Sequence, residues 1–454
     1  MRPCFAVLGA TAVYMFQEEE MQKLTRRQML KATAFGAASA TLAACGAATP
    51  APGGGAITSG DASGKLEIFS WWTNGGEVDG LNAIYDIYKK QNPKVEIINA
   101  AIAGGSGAGG NAKAVLKTRM LGGDPPDTFQ VHLGRELIDT HVVADRMEGL
   151  NDLFKAEGLD NAFPQGVIDL ASDKGVAYSV PVNIHRSNVL WFNKKLMAEA
   201  GADKAPATWD EYFAIAEKLK AKGIAMCTMA GSGAGFSAHE MENIMLGTMG
   251  ADKYAGLFTG ATSWGDAGIA ASLGVLNKMI DFAVPNYAAL QWGDTDPLLV
   301  EGKAASHIMG DWMNGYYKSK KFADWGWAPA PGTSGNFLAL SDSFGLPKGA
   351  KNRQAVINFL KVCGSKAGQD AFNPLKGSIP ARKDADLSKY DDYQKQAIAD
   401  FASNRIVGSI VHGAAAKESF VNDFNNTIAE FVTKRDVAAA GAKLLEVAKT
   451  AGYK

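Results

Sequence analysis

The chain has 454 residues, with 46 Lys and Arg against 47 Asp and Glu and a formal net charge of −1, so it lacks the basic excess that nucleic-acid recognition needs. Its length is two to three times that of a typical domain and predicts two lobes. Hydrophobic content is 47%, ordinary for a globular protein, and no stretch reaches the eighteen or so consecutive apolar residues of a membrane-spanning helix. Cys4, Cys45, Cys227 and Cys363 form no CxxC pair and no Cys/His cluster, which argues against a disulfide framework and a structural zinc.

From the N-terminus, Arg26 and Arg27 precede a short apolar run, Ala32 to Ala44, that ends in Leu42-Ala43-Ala44-Cys45. A positive head, a stretch too short to span and small residues before a cysteine have the layout of an export signal. The run resembles a twin-arginine signal joined to a lipobox. It predicts a signal region over 1–44 and a mature chain of 410 residues with 41 basic and 44 acidic groups. By that resemblance, lipid on Cys45 anchors an exported protein at a membrane, periplasmic or at the cell surface. Residues 1–20 fit no targeting pattern, because their apolar part ends in Glu18-Glu19-Glu20, so Met21 is an alternative start. Residues 45–64, rich in Ala, Gly, Pro and Thr, predict a flexible tether reaching about 25 Å.

An α/β pattern begins at Lys65. Leu66 to Phe69 reads as a strand, and Leu81, Ile84, Tyr85 and Tyr88 recur at helical spacing until Asn92-Pro93 stops them. Val95 to Ile98 is a second strand, followed by a glycine-rich loop. A helix carrying Ala112, Val115, Leu116 and Met120 comes next, ended by Gly122 or Gly123 in the left-handed conformation. In a third strand, Thr128 to Leu133, Phe129, Val131 and Leu133 face one way, Gln130 and His132 the other. This alternation of strand and helix predicts a mostly parallel sheet. A β-rich run at 178–192, helices to about 280 and a strand at Phe337 to Leu340 complete the pattern.

Motifs for other chemistries are incomplete. Gly105 to Gly110 satisfies GxGxxG, but Asp124 and Asp127 precede the next strand, where a ribose-binding acid should end it. No Gly-Lys-[Ser/Thr] follows for a P-loop. His239-Glu240-Met241-Glu242-Asn243 is one residue short of HExxH, and Gly104 to Ala108 misses G-x-S-x-G. Neither a metal nor a cofactor is called for. Paired carboxylates of a glycosidase depend on a separation in space, which leaves that alternative open.

Several runs in order carry a resemblance over 65–454: Ser70-Trp71-Trp72, Gly123-Asp124-Pro125-Pro126-Asp127, Gln130-Val131-His132, Val180-Pro181-Val182-Asn183, Gly310-Asp311-Trp312 and Lys376-Gly377-Ser378-Ile379-Pro380. With these, the chain resembles the family-one extracellular solute-binding proteins, the receptor subunits of ABC sugar importers, and within them the glucose/galactose/mannose-binding branch. The resemblance implies a type II periplasmic-binding-protein fold: two α/β lobes, each a mostly parallel sheet flanked by helices, joined by hinge crossovers. The lobes it implies are 65–181 with 337–378, and 182–336 with 379–454. It further implies a monomer that breaks no bond, captures a monosaccharide and presents it to membrane permease subunits. The same fold taking an oligosaccharide or another solute is the alternative.

A free sugar asks for planar hydrogen-bonding groups around its hydroxyls and a flat apolar wall against its C–H face. Gln130 and His132 share a strand face near the carboxyl end, where open α/β sheets expose their crevice. Trp71 and Trp72 follow the first strand, and alternation predicts that one of them lines the site. By resemblance Glu77, Asp342, Lys376 and His412 contact sugar, and Trp312 supplies a stacking face. Trp292 and Trp312 each stand near an Asp, and Asp311 is either a ligand or a helix N-cap. Asn183, His185 and Arg186, on the first crossover, are ligands, hinge buttresses or both.

Overall fold

The computed structural model describes residues 60–103, 109–232 and 236–454. The signal region, Cys45, Met21, the tether to residue 59 and the glycine loop at 104–108 lie outside the described residues. Along the chain the strands are β1 (Gly64–Phe69), β2 (Val95–Asn99), β3 (Thr128–His132), β4 (Ser172–Asp173), β5 (Val176–Ala177), β6 (Ser179–Pro181) and β7 (His185–Arg186). They continue as β8 (Val189–Asn193), β9 (Ala225–Cys227), β10 (Ala304–Ile308), β11 (Trp325–Pro329), β12 (Asn336–Leu340), β13 (Asp342–Gly345) and β14 (Arg405–Gly408). Among the described residues no helix is long and apolar enough to cross a membrane.

The first lobe centres on a five-stranded sheet in the order β2-β1-β3-β13-β6, the second on a four-stranded sheet in the order β11-β8-β10-β9. In each, one strand runs against the rest: β13 is antiparallel to β3 and β6, and β8 to β10 and β11. The mostly parallel sheets expected from the sequence are therefore present, with one reversal apiece. The reason is topological. β1 and β3 end at the cleft edge, whereas β13 and β8 follow chain crossings and start there.

Local chemistry explains the helices that frame the first sheet. Helix Gly75–Gln91 buries Leu81, Ile84, Tyr85 and Tyr88, and stops at Asn92, whose N–H returns to Tyr88 O. Helix Gly110–Leu121 ends through Gly122 in the right-handed region, while Gly123 takes φ +73°, the conformation glycine adopts at least cost.

Three crossings form the hinge. Ile184 and Ile379 pair as an antiparallel bridge, and a third, three-stranded sheet, β14-β12-β7, lies beside them. The border expected at residue 337 gave Phe337 to Leu340 to the first lobe. This strand finds its ladder partners in β14 and β7, and pairing with the first sheet begins at Asp342. Two apolar clusters make the core. The first surrounds the five-stranded sheet but continues into Trp191, Leu299, Met313 and Tyr317; the second joins segments between Leu190 and Ala448. The first reaches across because helix Trp312–Ser319 approaches helix Gly75–Gln91 through Gly76 and Gly315, where an added Cβ on Gly76 would stand 2.9 Å from Gly315 Cα.

Candidate functional site

The carboxyl ends of β1 and β3, the start of β13, the crossovers and the loop after β14 converge on one cavity. Helix Phe236–Met249 and the first residues of helices Trp292–Val300 and Trp312–Ser319 complete its wall. Its empty volume is about 580 Å³, open space at the mouth included. Trp71, Trp72, Glu77, His132, Trp292, Trp312, Asp342, Lys376 and His412 all line it. Both tryptophans after β1 take part, against the alternation rule, because the strand ends at Phe69 and the rule ends with it. Trp72 also rests on Phe344 and Phe372, and Trp71 lies 5.0 Å from the His132 ring.

Two expected residues stand behind the wall. Gln130 is buried; its Nε2 donates to Asp342 Oδ1 at 2.8 Å and its Oε1 accepts from Trp71 N at 3.1 Å. The pleat puts it on the His132 face but one residue pair further from the cleft. Asp311 occupies the N-cap position of its helix without a side-chain cap bond. Its carboxylate instead holds the crossover, taking His185 Nδ1 and the Arg186 N–H, the latter at 3.0 Å. Arg186 turns to Asp400 and away from the cavity.

Asp342 is the polar centre. Besides Gln130 it accepts from Asn183 Nδ2 at 2.9 Å, and its own N–H donates to Asn183 Oδ1 at 2.8 Å. His185 Nε2 lies 3.3 Å and His132 Nε2 3.6 Å from its oxygens. Burial works to raise the Asp342 pKa, but the His185 hydrogen bond and the charges of His132, His185 and Lys376 outweigh it and hold the carboxyl well below the usual range. His185, buried between Asp311 and Asp342, shows the mirror effect. Burial and Lys376 lower its pKa, the two carboxylates raise it, and the net shift is upward.

Across the cavity, Lys376 Nζ donates to Glu77 Oε1 at 2.9 Å and sits 5.6 and 5.7 Å from the Trp72 and Trp312 ring centres. Burial raises the Glu77 pKa, and Lys376 offsets this only in part. His132 Nδ1 lies 2.8 Å from Glu136 Oε2, which also takes Lys113 Nζ at 2.6 Å. Glu136 is buried, yet Lys113 and His132 overcome the cost of burial and bring its pKa down to about 2. His412 packs at 5.4 Å on both His132 and Trp312, and burial holds its pKa well below the ordinary value. Trp292 stacks on Phe236 at 5.6 Å.

His185 and His239 also line the cavity. The first stood among the open alternatives on the crossover; the second was met only as part of an incomplete metal motif. The usable signal was the spacing of His239 and Glu242, three apart and so on one helix face. His412, from a loop 170 residues beyond Glu242, comes beside them. Ligand atoms of His239, Glu242 and His412 lie within 4.8 Å of one another, a spacing that suits a metal ion. Yet the Glu242 carboxylate is already engaged by the Ser187 and Ser409 hydroxyls and the Ile410 and Val411 N–H groups. Glu242 is thus the hub of a hydrogen-bonded network, with burial raising its pKa to about 7.

Comparison with known proteins gives the same picture. The profile of the bacterial extracellular solute-binding protein family matches residues 72–370. An ABC transporter extracellular-binding protein of Pyrococcus horikoshii is 34% identical over 391 residues, covering 85% of this chain and 87% of its own. A probable sugar-binding periplasmic protein of Mesorhizobium japonicum is 29% identical, covering 81% and 89%. Among solved structures, a chitin-oligosaccharide-binding protein superposes with a TM-score of 0.74 at 20% identity, over 86% of this chain and 99% of that one.

Proposed function

The chain belongs to the bacterial extracellular solute-binding protein family, and from that premise we propose that it captures a monosaccharide between its lobes for an ABC importer. It is an exported substrate-binding protein of a sugar transporter, and its family binds solutes rather than transforming them. Glucose is the first candidate, with galactose or mannose tolerated.

One observation carries the reading. The buried Asp342 carboxylate and the Trp71, Trp72 and Trp312 rings bound the same small cavity. A carboxylate kept ionised accepts hydrogen bonds from hydroxyls, while flat rings meet the apolar face of a pyranose. His132, Glu77, Lys376 and His412 supply further polar atoms, Trp292 a further apolar face, and Gln130 and Asp311 act from behind. The lobes proposed to move are 65–181 with 337–378 and 182–336 with 379–454, with β12 shared by the hinge sheet. The protein acts as a monomer, anchored through lipid on Cys45. Cys45→Ala should move it from the membrane to the soluble fraction, and an unchanged distribution removes the anchor.

Mass spectrometry of the ligand that co-purifies, followed by calorimetric titration of that compound, tests the main reading. A hexose bound one to one and recovered unchanged is the expected result. An oligosaccharide, a non-sugar solute or a cleaved product overturns the monosaccharide reading.

A further inference from the structure

Helix Phe236–Met249 brings into the cavity a histidine that neither the sugar-binding kit nor the family resemblance assigned. His239 is 1% exposed and lines the cavity beside His412 and Trp312, at 5.6 and 5.9 Å between ring centres. Its Nδ1 faces Ser187 Oγ at 3.4 Å, while its Nε2 has no partner among the described residues. Buried polar atoms are nearly always paired, so an orphan on a cavity wall points to a bond that is made when the cavity is filled.

The direction of that bond follows from the neighbours. With Glu242 ionised, the Ser187 hydroxyl donates its one proton to Glu242 Oε1 at 3.0 Å. Toward His239 the hydroxyl can only accept, so the imidazole proton belongs on Nδ1 and Nε2 carries a lone pair. Burial lowers the His239 pKa to about 3, which keeps the ring neutral at physiological pH. His412 repeats the arrangement: Ser409 Oγ donates to Glu242 and lies 2.8 Å from His412 Nδ1.

We propose that His239 is a specificity-determining residue of the binding site, its Nε2 accepting a hydrogen bond from one hydroxyl of the bound sugar. The proposal rests on the sugar-binding reading. It makes a demand that size and apolar fit do not: at one ring position the ligand must present an O–H, and a group of equal size that cannot donate is discriminated against.

Titration of glucose and its 2-, 3-, 4- and 6-deoxyfluoro analogues into the full chain tests this, because fluorine replaces the hydroxyl without a proton to give. At one position the analogue should bind wild type about 3- to 10-fold more weakly than glucose. In His239→Ala that penalty should vanish while penalties at the other positions remain, and in His239→Gln, whose amide oxygen still accepts, part of it should return. Thermal melts check that both variants fold. If wild type binds glucose and His239→Ala keeps every positional penalty, His239 is not a ligand, and the sugar-binding reading stands without it. If wild type binds no hexose, that reading falls and this inference with it.

Discussion

Asp342 and Trp312 meet a pyranose through different physics, and substitutions should separate them. Bonds to a charged acceptor contribute roughly 1.5–3 kcal/mol, so Asp342→Ala should weaken glucose binding about 10- to 150-fold and by unequal factors among glucose, galactose and mannose. Trp312→Ala should weaken all three by similar factors, since the C–H face is largely common to them; calorimetry on the two variants reads both patterns. Glu136 carries a pH signature of its own. Its folded pKa of about 2 lies below the model-peptide value of about 4.3. The stability it contributes is therefore complete above the unfolded pKa and is lost as pH falls toward 2, on the order of 3 kcal/mol. Urea denaturation between pH 2 and 6 should show a shallower acid loss for Glu136→Gln than for wild type, and parallel curves would refute the assignment. Local pattern alone offered His132 and the Trp pair after β1, whereas Glu77, Trp312, Asp342, Lys376 and His412 came from the family resemblance, since a local pattern does not aim a side chain into a cleft. Gln130 and Asp311 were misplaced by one layer. A strand face or a helix start says which way a side chain leaves the backbone, whereas only the fold shows that Asp342 and His185 stand in between.

At the level of elements, Gly377 joins helix Lys366–Lys376 to the third crossing. It has φ +95°, and an added Cβ would come within 2.5 Å of Asp311 O and Gly315 N. Both contacts are backbone, so neither can swing aside. Gly377→Ala should cost about 2 kcal/mol or more, combining a left-handed conformation with a steric clash. Chemical denaturation measures this, and a change below about 0.5 kcal/mol would mean that the crossing is looser than its geometry. Strand identity was readable from alternation and helix identity from the 3.6-residue stripe, as β3 and helix Gly75–Gln91 show. Strand order was not. Nothing in Phe337 to Leu340 announces that its partners are Arg405–Gly408 and His185–Arg186 rather than the first sheet, because apolar alternation specifies a buried face and not which ladder fills it. The reversed strands β8 and β13 were illegible for the same reason, since direction is set by where a crossing delivers the chain.

Among the described residues the two proposed lobes meet over the cavity: His132 packs 5.4 Å from His412, and Asp342, Lys376 and His185 are all buried. Closing without sugar leaves polar atoms unanswered, among them the Trp292 and Trp312 Nε1 groups and His239 Nε2, and each unmade buried bond costs on the order of 1–3 kcal/mol. A hexose that answers several of them in the closed form alone has the differential affinity required to shift the population toward closure. The rotation we propose is about the paired Ile184 and Ile379 and the chain at Ser341, where the three crossings lie side by side. Saturating hexose should therefore reduce the radius of gyration in X-ray scattering, and tryptophan fluorescence should change over the same titration, because Trp71, Trp72, Trp292 and Trp312 all line the cavity. Two observables are needed, since fluorescence alone would also respond to a ligand entering a rigid pocket. If fluorescence titrates while scattering stays constant, the lobes do not move, and the orphaned groups must be satisfied by water in a cavity that is closed at all times.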